Sequence, residues 1–123
     1  MKCPPKVKVG YKDITIDLVR SDFSKQTDSY GEYQHRANKI EIQQDLTPDD
    51  FANTLLHEVL HAVAYEFSLT CDGNVLSTDS NEEIVINSIT NGLMTVFKDN
   101  PWFLTFMQDN IHGRKENIRS KNV

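Results

Sequence analysis

No apolar run in this chain approaches the roughly 20 residues that a membrane-spanning helix needs, so no span is expected. Basic residues are also in short supply: 13 lysines and arginines stand against 18 aspartates and glutamates, for a formal net charge of −5. Binding a duplex depends on neutralising several phosphates, which argues against nucleic acid as the main partner. Only two cysteines occur, Cys3 and Cys71, too few for a disulfide framework, and both read as plain thiols. The N-terminal lysines have no apolar stretch of roughly 7 to 15 residues behind them, so a secretory signal is not expected either. Repeats, low-complexity segments and linkers are likewise missing. What is left is one soluble, cytoplasmic domain spanning all 123 residues. A chain of this size buries roughly two-thirds of its unfolded surface, enough for one core and not two.

The first half alternates apolar and polar residues. Val7 and Val9, then Ile14, Ile16 and Leu18, mark two strands punctuated by Gly10. A polar loop follows over residues 20–29. Two more short strands are expected over 31–36 and 39–43, around a turn at Ala37-Asn38. The second half changes period. Thr47-Pro48-Asp49-Asp50 is a helix start, with Thr as N-cap, Pro at the first helical position and acids against the positive end of the dipole. That helix should run to about Phe67, and its apolar residues go almost all the way round, as in a central helix packed on more than one side. A second helix should begin near Ser80, carry Ile86, Ile89, Leu93 and Phe97 on one face, and stop at Asn100-Pro101. Gly92 within it suggests close packing. A third helix should run from Pro101 to about His112 and end at Gly113, with a frayed polar tail over 114–123. The expected fold is α+β: a small N-terminal antiparallel or mixed sheet packed on about three helices.

Chemistry enters at His57, Glu58 and His61, which form an HExxH pattern inside the apolar central helix. Residues four apart lie one turn up and about 40° round from each other, so both imidazoles project from one face and can reach one ion. Glu58 lies beside them, where a general base acting on metal-bound water belongs. The bland alternative is a pair of core histidines bonded to nearby carbonyls. Three polar groups in an otherwise apolar helix call for a joint explanation, and a divalent metal supplies one. Two imidazoles and a carboxylate suit zinc.

A catalytic zinc takes three protein ligands and keeps a position open. Glu83 is the favoured third ligand and Glu82 the alternative, with Asn87 one turn beyond Glu83 placed to orient a histidine. Ser80 to Glu83 also reads as a capping box, which needs no metal. Helical phase leaves the two glutamates unresolved. Weaker candidates are Cys71, Asp72, His35, His112 and Tyr65.

These residues resemble the zincin metallopeptidases, in particular the gluzincin group, in which HExxH is followed by a Glu on the next helix: here His57, Glu58 and His61, then Glu83 with Asn87. The chain is also similar to short phage and prophage proteins with a His-Glu-x-Leu-His-Ala segment, an acidic pair and a later Asn-Gly-Leu, here His57 to Ala62, Glu82-Glu83 and Asn91-Gly92-Leu93. It departs from the metzincin pattern, since Ala64 and Phe67 stand where that group has Gly and a third His. The resemblance implies a minimal zinc-dependent endopeptidase in which an extended peptide or protein segment lies along an edge strand near residues 30–36. Glu58 would take the proton of the attacking water and pass it to the leaving amine. A catalytically silent, zinc-stabilised binding module of phage or mobile-element origin is the alternative.

Overall fold

A computed structural model describes residues 2–20 and 30–113. Residues 21–29 of the expected loop over 20–29, and the expected tail over 114–123, lie outside the described residues. Four strands, β1 (Lys6–Val9), β2 (Lys12–Val19), β3 (Gly31–Gln34) and β4 (Lys39–Gln43), precede three helices, α1 (Pro48–Glu66), α2 (Asp79–Asp99) and α3 (Phe103–Ile111). The fold is α+β.

The strands form one mixed sheet in the order β1-β2-β4-β3. The outer pairs are antiparallel and the central pair, β2 with β4, is parallel, with Ile16 opposite Ile40 and Leu18 opposite Ile42. Period-two alternation turns Ile14, Ile16, Ile40 and Ile42 to one face, where they are buried with Val9 and Ala62. Each such isoleucine contributes roughly 1.5–3 kcal/mol of burial. The β1–β2 hairpin turns through Gly10 and Tyr11, and Gly10 takes a φ of 63°, which an L side chain rarely adopts. The β3–β4 connection is longer than the expected two-residue turn. β3 ends at Gln34, and four residues, 35–38, make the loop, closed by Asn38 in the left-handed region (φ 52°). His35 therefore belongs to a loop and not to a strand.

Thr47 caps α1, accepting the Asp50 N–H at 3.3 Å, with Pro48 at its start and Asp49 and Asp50 in the first turn. The helix lies against β1, β3 and β4. Phe51, Leu55, Val59 and Val63 pack towards the isoleucine core, while Leu60 and Ala64 join Leu76 and Ile86 in a second cluster. The all-round apolar pattern thus reflects burial on two sides.

α2 starts at Asp79, one residue before Ser80. Thr78 is its cap, accepting the Asn81 N–H on Oγ1 at 3.3 Å and the Glu82 N–H on its carbonyl at 3.0 Å. The capping box expected at Ser80 and Glu83 is not formed, because Glu83 already lies in the second turn. Ile86 is buried but Ile89 is half exposed, so the expected stripe is covered at only one of these two positions. Among the described residues, a Cβ at Gly92 would meet no atom within 4 Å, so the close packing expected there is not seen among them.

The chain divides into two compact units, residues 1–90 and 91–123. The first holds the sheet, α1 and the start of α2. In the second, Phe103 packs near Phe97 and Trp102, and Trp102 near Phe106, with ring centroids 5.6–6.1 Å apart. Pro101 and Trp102 form a turn ahead of α3, and Gly113 (φ 75°) follows its end. No helix among the described residues is long and apolar enough to cross a membrane.

Candidate metal centre

Thr54, Glu58 and Ala62, four residues apart, form the buried stripe of α1. His57 and His61 sit one position back on the helix and are half-buried. Their rings meet edge to face with centroids 4.7 Å apart, and their Nε2 atoms are separated by 3.1 Å. Ile86, held in the Leu76 and Ala64 cluster, anchors the N-terminal part of α2, and Glu82 and Glu83 lie one turn before it.

Glu83 Oε1 lies 2.9 Å from His57 Nε2 and 3.2 Å from His61 Nε2. The three donor atoms thus form a triangle with sides of 2.9, 3.1 and 3.2 Å. Zinc bonds of about 2.0–2.1 Å in tetrahedral array place ligand atoms roughly 3.3 Å apart, so the donor set fits one such ion after small outward shifts. Glu83 is the most exposed of the three, which leaves the site open on that side.

Glu82 has a different part. Its Oε2 stands 2.6 Å from His61 Nδ1. A proton on Nδ1 donates to this carboxylate and leaves Nε2 with a lone pair facing His57 and Glu83, the tautomer that a metal ligand needs. The ambiguity between the glutamates resolves into two roles, with Glu83 in the donor triangle and Glu82 orienting His61. Asn87, expected as the orienting residue, lines the neighbouring cleft, but the group on His61 Nδ1 is Glu82.

Burial pushes the Glu58 carboxyl up to about 7; the Glu83 charge adds to this, while His61 and the Tyr33 N–H pull against it. His57 is lowered, by burial first and then by His61. Burial also acts to lower His61, but the hydrogen bond to Glu82 and the charges of Glu58 and Glu83 outweigh it, and its pKa is raised.

The edge strand β3 is fitted to this helix at Glu58. A Cβ on Gly31 would stand 2.7 Å from Thr54 Cγ2, 2.9 Å from the Glu41 carbonyl and 3.6 Å from Glu58 Cγ. Gln43 donates its N–H to the Tyr30 carbonyl at 2.9 Å. By the alternation of an antiparallel pair, the backbone groups of Gly31 and Tyr33 therefore point away from β4. The Tyr33 N–H donates to the Glu58 carboxylate, so base and edge strand are in direct contact. Neither residue stood out in the sequence; a glycine inside a strand is the one signal of close backbone approach that could have found Gly31.

An open cleft of about 1040 Å³ adjoins these residues, bordered also by Tyr30, Tyr33, His35 and Tyr65. His35 stacks on Tyr65 with centroids 4.4 Å apart, and Tyr33 meets Tyr65 edge-on at 6.4 Å. Burial pushes the Tyr33 hydroxyl up to about 12, with Glu66 and Tyr65 contributing. Of the weaker candidates, His35 and Tyr65 thus border the cleft. Cys71 and Asp72 are exposed and do not line it, and His112 belongs to the second unit.

Comparison with known proteins finds no matching family model, no matching curated protein and no matching solved structure.

Proposed function

We propose that this chain is a zinc-dependent peptidase of the HExxH type, with His57, His61 and Glu83 as metal ligands and Glu58 as general base. The observation that carries this reading is the convergence of the two Nε2 atoms and Glu83 Oε1 within 3.2 Å of one another, beside a buried glutamate. When bound, a zinc ion supplies a Lewis acid that lowers the pKa of water and polarises a carbonyl.

The remaining work falls to the chain. Glu58, whose burial holds its proton affinity near neutrality, takes a proton from the attacking water and returns it to the leaving amine. Glu82 keeps His61 in one tautomer and one orientation. An extended peptide lies in the cleft beside β3, the edge strand of the sheet. The proposal places this activity in the cytoplasm, where Cys3 and Cys71, both free thiols, stay reduced.

The test is hydrolysis of quenched fluorescent peptides by zinc-reconstituted protein. Cleavage should vanish with a chelator and return with zinc. Glu58→Gln should keep its zinc and lose at least about a hundredfold in rate, the contribution typical of a general base. Cleavage at the same rate by Glu58→Gln would remove the catalytic assignment.

A further inference from the structure

Among the described residues, the cleft carries charge of one sign. Glu32, Glu58, Asp79, Glu82 and Glu83 line it, and no described lysine or arginine does. Even with Glu58 left out for its raised pKa, the other four carboxylates outweigh a divalent ion by two charges, so the ion does not reverse the sign. Glu58, Glu82 and Glu83 already have roles at the metal centre. Glu32 and Asp79 do not.

Glu32 is exposed on β3, and its Oε1 accepts the Gln34 side-chain amide at 3.2 Å, a bond that neutralises no charge. Asp79 is exposed in the first turn of α2, where the helix dipole favours an acid but offsets only part of its charge. Two lysines of the sheet pair outside the cleft, Lys12 with Glu66 at 3.2 Å and Lys39 with Glu41 at 3.1 Å; the Lys39 charge also interacts with that of Glu32 and offsets part of it. The tyrosines of the cleft are compatible with cations as well. Lys12 Nζ already lies 5.7 Å from the Tyr65 ring centroid, so one of these rings holds an ammonium group over its face. A concave surface of a single sign focuses its field and concentrates ligands of the opposite sign.

We infer that the cleft selects extended peptides with lysine or arginine beside the bond presented to His57, His61 and Glu83, and that Glu32 and Asp79 set this preference. The inference rests on the peptidase reading for where the peptide lies; the charge of the cleft does not depend on catalysis. Peptides with glutamate at the same positions are turned away, because their side chains would approach charges of their own sign in a cleft that no described lysine or arginine lines.

The test uses zinc-loaded Glu58→Gln protein and three labelled peptides of equal length that differ only in carrying Lys, Gln or Glu on both sides of one central bond. Binding is read by fluorescence anisotropy at about 20 mM and about 500 mM salt. The Lys peptide should bind at least about tenfold tighter than the Glu peptide at low salt, and the gap should narrow at high salt. Adding Glu32→Gln and Asp79→Asn should reduce the gap severalfold. Equal binding of the three peptides, or a Lys preference that these two substitutions leave intact, would overturn the inference. Cleavage by wild-type protein, run in parallel, separates the two claims. Selective binding with no cleavage of any peptide would remove the peptidase reading and keep the charge preference, whereas cleavage of all three at equal rates would do the reverse.

Discussion

Replacing Glu58 by glutamine should change how the stability of the metal-free protein depends on pH, by an amount the structure sets. Glu58 is only 6% exposed, and its carboxyl is pushed from 4.5 up to about 7, by burial first and then by the Glu83 charge. At roughly 1.4 kcal/mol per pKa unit, this shift corresponds to about 3 kcal/mol. The folded state holds the proton more tightly than the unfolded chain. The stabilising contribution is therefore fully present below about pH 4.5 and is lost as pH rises through about 7. Glutamine is neutral throughout, nearly the same size, and can still accept the Tyr33 N–H. Urea unfolding in the presence of a chelator, at intervals from pH 4.5 to 8, should show Glu58→Gln gaining about 3 kcal/mol relative to wild type across that range. His57 titrates in both proteins, whereas His61 loses the Glu58 charge in the variant, so the difference reports Glu58 together with its coupling to His61. Saturating zinc should shrink the gap, since a nearby cation favours the carboxylate. A difference that stays constant with pH would refute the reasoning, because it would mean that Glu58 ionises as an ordinary carboxylate.

Three further outcomes are expected. Gly31→Ala places a methyl group 2.7 Å from Thr54 Cγ2 and should cost roughly 1–3 kcal/mol, seen as a lower melting temperature, with peptidase activity reduced as β3 moves from Glu58; an unchanged melting temperature would contradict the close fit. Glu83→Gln should abolish stoichiometric zinc binding, whereas Glu82→Gln should weaken it by about 10- to 100-fold, as removal of an orienting carboxylate does. Competition with a chromophoric chelator measures both, and equal losses would contradict the division of roles. Thr78→Ala should destabilise the protein by roughly 0.5–2 kcal/mol in urea unfolding while Ser80→Ala has little effect, because the cap of α2 is Thr78; the opposite order would move the helix start back to Ser80.

Local signals were the legible ones. The alternation of Ile14 with Ile16 and of Ile40 with Ile42 shows in the sequence because one face of the sheet is buried and side chains alternate faces at every residue. Thr47-Pro48 marks the start of α1 because capping involves only neighbours, and HExxH is legible because four residues make one helical turn. Strand order was not legible. β4 inserts between β2 and β3 and pairs in parallel with β2, and alternation says nothing of which strand a neighbour will be. Nor could Glu82 be told from Glu83. Their directions depend on where α2 begins and how Ile86 locks it against Leu76 and Ala64, contacts set by tertiary packing. Nor does the sequence place His35 in a loop: its position depends on the loop closing at Asn38, four residues after β3 ends, which brings its ring onto Tyr65. Gly31 carries the same lesson: its lack of a side chain matters because of Thr54, more than twenty positions away.

Where this protein holds a metal ion is the most direct test of a peptidase site at His57, His61 and Glu83. Crystals of the zinc-reconstituted protein, with anomalous diffraction recorded on both sides of the zinc absorption edge, locate the ion independently of activity. The expected result is one strong anomalous peak about 2.0–2.2 Å from His57 Nε2, His61 Nε2 and a Glu83 carboxylate oxygen, with Glu82 on His61 Nδ1 and one further position left to solvent. A peak coordinated by Glu82 in place of Glu83, or no peak near the paired histidines at full zinc loading, would contradict it.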